Sequence, residues 1–209
     1  MKIIDISIPL SENTTTYPGD MGFSIRYLNS FDKKDDDNTS MIEMGSHVGT
    51  HIDAPRHVIP GGKYINQIPL KYFFGKVLII EIPDKFNYID VEHLSDINNK
   101  IKAVFFKTRN SRLKYNFPFD KNHVYVSESA ADKLIKIGVK TVGIDYLSVG
   151  PFGSFENMRV HKILLENESI IIEGLNLKGV KSGIYNFFAL PLKMEDVESS
   201  PTRAILIKE

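Results

Sequence analysis

Short runs of β-branched and aromatic residues recur along the chain, and clusters of Pro, Gly and polar residues separate them. Such runs are typical of β-strands, because branched and aromatic side chains pack well on a pleated surface. The pattern predicts strands at residues 3–10, 23–28, 41–48, 76–82, 103–107, 141–144, 169–172, 185–190 and 203–208.

Helical signals are fewer than strand signals. Ser127 or Ser129 can cap a helix that ends at Gly138. Shorter helices are predicted over residues 91–98 and 157–166. Because strands and helices do not alternate regularly, the predicted fold class is α/β with a mixed sheet rather than a doubly wound parallel sheet.

The length and charge of the chain limit its organisation and its partners. The 209 residues contain no Ser/Gly-rich linker, composition shift or internal repeat, so one domain over residues 1–209 is predicted. Lys plus Arg total 26, and so do Asp plus Glu, so the chain lacks the basic excess that nucleic-acid binding requires. A near-zero charge also weakens self-repulsion between copies, which is compatible with a homo-oligomer.

The chain contains no cysteine, so disulfides, thiolate metal sites and a cysteine nucleophile are excluded. Any metal site must use His, Asp and Glu. The first residues lack the apolar core of a secretion signal, and no apolar run is long enough to cross a bilayer. We therefore expect a cytoplasmic protein that does not enter the membrane.

Histidines are concentrated in one segment, because three of the six in the chain lie in residues 46–57. In an extended chain alternate residues share a face, so His47, His51 and Asp53 would point the same way, and His57 could join them. A helix would align the first two histidines but would rotate the carboxylate away.

This spacing favours metal binding. Gly49 has no side chain and would leave room for an ion between the two imidazoles, and imidazoles with a carboxylate are the ligand set of zinc and similar metals. The alternative is a set of isolated, hydrogen-bonded histidines, which would be the better interpretation of a lone His. Farther along, His161 and Glu173 are weak candidates by spacing alone, since either could be an ordinary surface or strand-end residue.

Several other catalytic motifs are absent. The sequence has no Gly-x-Ser-x-Gly elbow, which disfavours a serine hydrolase of the α/β-hydrolase type. It also lacks the Walker A and Gly-x-Gly-x-x-Gly motifs, so nucleotide cofactors have no support. The His-Glu-x-x-His motif of metalloproteases is missing too.

The segment His-x-Gly-Thr-His-x-Asp-x-Pro-x-His at 47–57 resembles the marker motif of the cyclase family, which includes bacterial kynurenine formamidases. The resemblance extends over nearly the whole chain. Its further segments are Tyr17–Asp20, Gly61–Gly62, Val142–Asp145, His161 with Leu164–Leu165, Ile172–Leu175 and Ser200–Ala204.

The resemblance implies a swivelling β/β/α arrangement, assembled as homodimers or higher oligomers, and a two-metal site. By similarity, His47, His51 and Asp53 would hold the first metal. Asp53 would bridge to a second metal held by His161 and Glu173. Zinc, two ions per chain, is the expected cofactor, with manganese as the alternative.

The resemblance also implies that His57 is the catalytic acid and base. A free imidazole titrates near 6.5, so it can accept a proton from water and pass it to a leaving nitrogen. The alternative role is to orient a ligand or bind substrate. No Trp exists in the chain, so an aromatic wall for the substrate must use Phe or Tyr, and Tyr17 and Phe23 are the candidates.

Two segments depart from the family pattern. Ser148–Pro151 has Gly150 where many members carry the carboxylate of Ser-x-Asp-Pro, and Lys107–Asn110 lacks a Thr-Gly pair. The leading expectation is hydrolysis of an aryl formamide such as N-formylkynurenine to formate and the free amine. The departures keep open a cyclic amide such as isatin, and the third hypothesis is a metal-binding module without turnover.

Overall fold

A computed structural model describes residues 1–208, which contain twelve strands and two α-helices. The strands are β1 Lys2–Asp5, β2 Phe23–Asn29, β3 Thr39–Met44, β4 His51–Asp53, β5 Phe74–Glu81, β6 Tyr88–Ile89, β7 Ala103–Lys107, β8 Tyr125–Val126, β9 Thr141–Ile144, β10 Ile170–Glu173, β11 Gly183–Pro191 and β12 Ser199–Lys208. The helices are α1 Glu128–Ile137 and α2 Phe155–Glu166.

One sheet dominates the fold, in the strand order β1-β12-β11-β5-β7-β9-β10-β4. Strand β4 also pairs with β12, which closes seven strands into a barrel and leaves β1 attached outside the ring. Strands β5, β7, β9 and β10 run parallel, and the other pairings in this sheet are antiparallel. The predicted α/β class with a mixed sheet is confirmed. Two small sheets, β2–β3 and β6–β8, lie apart from the barrel sheet.

Two apolar cores follow from the alternation of side chains along the strands. Phe105 of β7 packs inside the barrel with inward residues of the other strands, whereas the neighbouring Phe106 packs against the helices. Both side chains are fully buried, as expected for parallel strands covered on both faces. The runs of branched residues that predicted these strands are thus explained by burial on two sides.

Both helices begin at a serine cap. The Ser127 side chain accepts from the Ala130 N–H, and α1 ends at Gly138 with φ 89°, which confirms the predicted helix and selects Ser127 as its cap. Helix α2 starts at Phe155, two residues before the prediction, because Ser154 caps it. Neither helix in residues 1–208 is long and apolar enough to span a membrane.

Three predicted elements are shorter than expected. The predicted helix over 91–98 is a single 3-10 turn at Val91–Leu94, and the Asp and Asn residues that follow favour turns over helix. The strand predicted over 3–10 ends at Asp5, whose carboxylate accepts from the Ser7 N–H at 3.1 Å. The strand predicted over 41–48 ends at Met44.

Candidate metal centre and active site

The histidine segment is a turn followed by a short strand. The Val48 N–H donates to the Gly45 carbonyl at 3.3 Å, Gly49 takes φ 65°, and β4 begins only at His51. The predicted extended conformation is therefore wrong between His47 and Thr50. A Cβ added to Gly49 would collide with Leu10, so this close contact, rather than space for an ion, explains the missing side chain. Its positive φ is what the turn requires of a glycine.

Asp53 lies at the centre of the site and is fully buried. Its Oδ1 is 3.0 Å from His47 Nδ1 and 3.6 Å from His51 Nε2, and its Oδ2 is 3.9 Å from His161 Nε2. Neither oxygen accepts a well-oriented hydrogen bond within the described chain. A buried carboxylate is costly unless a cation faces it, so this arrangement fits a bound metal ion.

Glu173 is brought to the same place by the sheet. The β4–β10 register sets Glu173 directly across from His51, and its Oε2 is 3.4 Å from His51 Nε2. Its Oε1 is 3.3 Å from His161 Nε2 and accepts from the Val149 N–H at 2.6 Å. The structure therefore brings together His161 and Glu173, which spacing alone left as weak candidates.

The backbone fixes which ring nitrogen carries the proton in two of the histidines. His51 Nδ1 is 3.1 Å from the Gly49 carbonyl, and His161 Nδ1 is 2.8 Å from the Asn157 carbonyl. A carbonyl oxygen only accepts, so each Nδ1 donates its hydrogen to the backbone, and the neutral ring can bind an ion through Nε2. This is the tautomer that metal-binding histidines use.

The donors form two groups that share Asp53. Potential ligand atoms of His47, Asp53 and His57 lie within 4.8 Å of one another, and so do those of His51, Asp53 and Glu173. Imidazole and carboxylate donors at this spacing fit a divalent metal site. The sequence interpretation had kept His57 outside the ligand set, whereas the structure places it beside the first group.

His57 lies in the 3-10 turn Pro55–His57, and its ring centroid is 4.3 Å from that of His47 and 5.6 Å from that of His161. Burial lowers the pKa of His57, and this outweighs the opposing charge of Asp53. The imidazole is therefore neutral near pH 7 and is able to accept a proton.

The histidines and carboxylates of the site shift one another's pKa values. Burial opposes the charging of His47, but the Asp53 carboxylate overrides it and raises the pKa of His47 to about 9. Burial and the Asp53 charge would raise the pKa of Glu173, but hydrogen bonds from His161 and His51 hold it at about 2. The site thus stabilises the ionised form of the Glu173 carboxyl and the protonated form of the His47 imidazole.

Glu198 is a site residue that the sequence did not indicate. Its Oε1 is 3.3 Å from His47 Nε2 and accepts from the Ser46 hydroxyl at 2.7 Å. It directly precedes β12, whose Ser199 pairs with Asp53. Its position next to the Ser200–Ala204 segment was the only signal in the sequence, and it is a weak one.

An aromatic wall lies beside α2. The Tyr17 ring is 5.2 Å from Phe119 and 5.6 Å from Phe152, and the Tyr17 hydroxyl is 3.4 Å from Asn157 Nδ2. Tyr17 is thus next to the helix that carries a candidate ligand. Phe23 is not in this wall: it lies in the β2–β3 hairpin and is in none of the ring pairs within residues 1–208.

The family described as "Putative cyclase" matches residues 4–151, which is well over half of the chain. The chain belongs to the cyclase family. The match contains the whole His47–His57 segment and ends before His161 and Glu173. The evidence that these two residues belong to the site is therefore their contacts in the structure.

Similar proteins include enzymes and plant relatives of the cyclase family. The kynurenine formamidase of Paracidovorax citrulli is 30% identical over 205 residues, covering 97% of this chain and 94% of that protein. Cyclase-like protein 3 of Oryza sativa subsp. japonica is 36% identical over 82% of this chain, which spans just 66% of the rice protein's length. A solved structure described as a "predicted metal-dependent hydrolase" from Bacillus stearothermophilus is 31% identical with a TM-score of 0.83, covering 98% of this chain and 97% of that one.

Proposed function

We propose that this chain is a divalent-metal-dependent amide hydrolase. The observation that carries the proposal is the buried Asp53 carboxylate, which faces three imidazoles and accepts no well-oriented hydrogen bond in the described chain. Membership of the cyclase family and the names of two similar proteins, a kynurenine formamidase and a metal-dependent hydrolase, support it.

The ligand assignment is the one that the family resemblance implies, and the contacts of the site are compatible with it. We assign His47, His51 and Asp53 to the first ion, and Asp53 is shared with a second ion held by His161 and Glu173. Zinc suits this mixture of imidazole and carboxylate, and manganese accepts the same donors.

The chemistry is hydrolysis of a carbon–nitrogen bond. Bound divalent ions supply polarisation of the amide carbonyl and a lower pKa for the attacking water. The neutral imidazole of His57 accepts a proton from that water and transfers it to the leaving nitrogen as the C–N bond breaks. The products are a carboxylic acid and a free amine.

The substrate we propose is an aryl formamide, N-formylkynurenine, which would give kynurenine and formate. The aromatic wall of Tyr17, Phe119 and Phe152 supports an aromatic substrate, because rings pack favourably edge to face or tilted. A cyclic amide such as isatin is the second candidate, since Gly150 lacks the carboxylate that many family members carry. Family membership also supports assembly as a homodimer or higher homo-oligomer.

The test is hydrolysis of N-formylkynurenine and of isatin by purified protein, before and after chelation and after zinc or manganese is restored. We expect turnover of the formamide that disappears with the metal and returns with it. Turnover of isatin alone would contradict the formamidase assignment. Metal-saturated protein that hydrolyses neither compound, nor any other amide, would instead be a binding module without catalysis.

A further inference from the structure

The loop that follows β9 contacts Glu173 and the helix that carries His161. The Val149 N–H donates to Glu173 Oε1 at 2.6 Å, and the Ser148 hydroxyl is 3.1 Å from Asn157 Oδ1. Asn157 in turn accepts from His161 Nδ1 through its backbone carbonyl at 2.8 Å. Two adjacent residues of this loop are thus connected to the Glu173 carboxylate and, through Asn157, to the His161 imidazole.

Gly150 is the point of closest approach between this loop and α2. A Cβ added to Gly150 would lie 2.5 Å from Asn157 Oδ1 and 2.7 Å from Asn157 Cα. The side-chain oxygen could rotate away, but the Cα could not move without shifting the first turn of the helix. The absence of a side chain at Gly150 is therefore what allows α2 to lie directly against the loop.

Asn157 also contacts the aromatic wall. Its Nδ2 is 3.4 Å from the Tyr17 hydroxyl, and Tyr17 packs on Phe119 and Phe152. One residue therefore joins the wall to the backbone carbonyl that orients His161.

We propose that Asn157, seated on Gly150, is a positioning residue that sets His161 relative to Glu173 and sets Tyr17 relative to the substrate. The inference rests on the proposed function, because it takes His161 and Glu173 as metal ligands and Tyr17 as part of the substrate wall. It gives Gly150, where this chain departs from the Ser-x-Asp-Pro pattern, a structural role.

The first experiment measures metal binding by calorimetry and elemental analysis, using zinc alone, in wild type, Gly150→Ala and Asn157→Ala. Asn157→Ala keeps the backbone carbonyl that accepts from His161 Nδ1 but removes the side-chain contacts with Ser148 and Tyr17 that hold this turn in place, and Gly150→Ala displaces the same turn. Outer-sphere partners of metal ligands typically contribute 10- to 100-fold to affinity, so we expect each variant to lose about tenfold or more for one of two ions. Gly22→Ala is the matched control, since a Cβ there would meet just one atom, Thr16 Cγ2, at 3.9 Å. Asn157→Ala keeps the test decisive if Gly150→Ala does not fold.

The second experiment separates positioning from general damage. We expect Tyr17→Phe to raise KM for N-formylkynurenine about two- to tenfold, the worth of one hydrogen bond, with zinc affinity unchanged. Asn157→Ala should raise KM and weaken zinc binding together. Tyr27→Phe, in the exposed part of the β2–β3 hairpin, is the control and should change neither.

The outcomes distinguish this inference from the proposed function. Wild-type protein that binds no zinc would overturn both. Wild type that binds two ions while Gly150→Ala and Asn157→Ala bind them equally well would overturn the positioning role alone. Wild type that binds a single ion would overturn the positioning role and the two-ion assignment together. An unchanged KM in Tyr17→Phe would remove the link to the substrate wall.

Discussion

At the scale of single residues, the chemistry of the site depends on what each polar atom faces. Asp53 presents two buried oxygens to imidazole nitrogens, while His51 and His161 donate their other nitrogen to backbone carbonyls. Ligands whose tautomers are fixed by the backbone lose little freedom when an ion binds, which strengthens binding. His57 has no such carbonyl partner in the described chain, which suits a group that must gain and lose a proton.

Substitutions at Asp53 and His57 should have different effects. We expect Asp53→Asn to lose both metal ions, because the residue shared between the two groups no longer carries a charge. We expect His57→Ala to keep both ions and to lose turnover by about 10²- to 10⁴-fold, the usual contribution of an acid–base group. Metal content and kcat, measured on the same preparations, check this. Equal loss of metal in both variants would contradict the role of His57.

Metal binding should release a proton from His47. The Asp53 charge overrides burial and raises the pKa of His47 to about 9, so this imidazole is protonated at pH 7.5 and must lose its proton to bind an ion. The carboxyl pKa of Glu173, about 2, means that this group is already ionised. We therefore expect affinity to rise with pH from about 7 to about 9 and to level off above. Calorimetry in buffers of different ionisation enthalpy measures the released proton, and an affinity independent of pH in this range would refute the expectation.

At the scale of elements, strands and helices were more predictable than turns. Branched runs gave β7 and β9 with their observed limits, and a capping serine with a terminal glycine gave α1. The turn at 45–50 was missed because the alternation of His47, Gly49 and His51 also fits a strand. The residues that flank a glycine in the sequence do not indicate whether its φ angle is positive.

Gly174 packs against Gly49 behind the site, and replacing Gly174 with alanine should destabilise the fold. Gly174 has φ 67°, and a Cβ there would collide with the Gly49 carbonyl, a backbone atom that cannot rotate away. Left-handed strain and overpacking together should cost Gly174→Ala roughly 2–4 kcal/mol of unfolding free energy. Gly179→Ala is the control, because Gly179 has φ 77° with nothing within 4 Å and should show the strain alone. Urea unfolding of metal-free protein gives both values, and equal losses would argue against the collision.

At the scale of the whole molecule, part of the site and little of the topology could be predicted from the sequence. Residues 47–57 supplied four candidates from one segment, whereas His161 and Glu173 needed the family resemblance. Phe119 and Phe152 come from distant loops and carry no local signal, and Glu198 has only the weak signal of its position next to Ser200–Ala204. Barrel closure was not predicted either, since pairing of Asp53 with Ser199 joins residues far apart in the chain.

The outer face of the antiparallel strands is the expected contact between copies. Helices cover the parallel strands, but on β11 the side chains of Ile184, Phe188 and Leu190 are exposed. Exposed apolar patches of this kind mark interaction surfaces. We expect Leu190→Asp to shift the protein toward monomer in light scattering coupled to size-exclusion chromatography, with Val91→Asp on the helix side as the control. A wild-type protein that is already monomeric would contradict the predicted assembly.

The shortest strand of the barrel is also its seam. Strand β4, three residues long, holds the ring closed by pairing with β10 on one side and β12 on the other. Ions held between Asp53 of β4 and Glu173 of β10 would hold these two paired strands together. A ligand at 1,000 times its Kd stabilises the state it binds by about 4.1 kcal/mol, so the amides of this strand would exchange their hydrogens far more slowly in the loaded protein. The metal would then be part of what keeps the barrel shut.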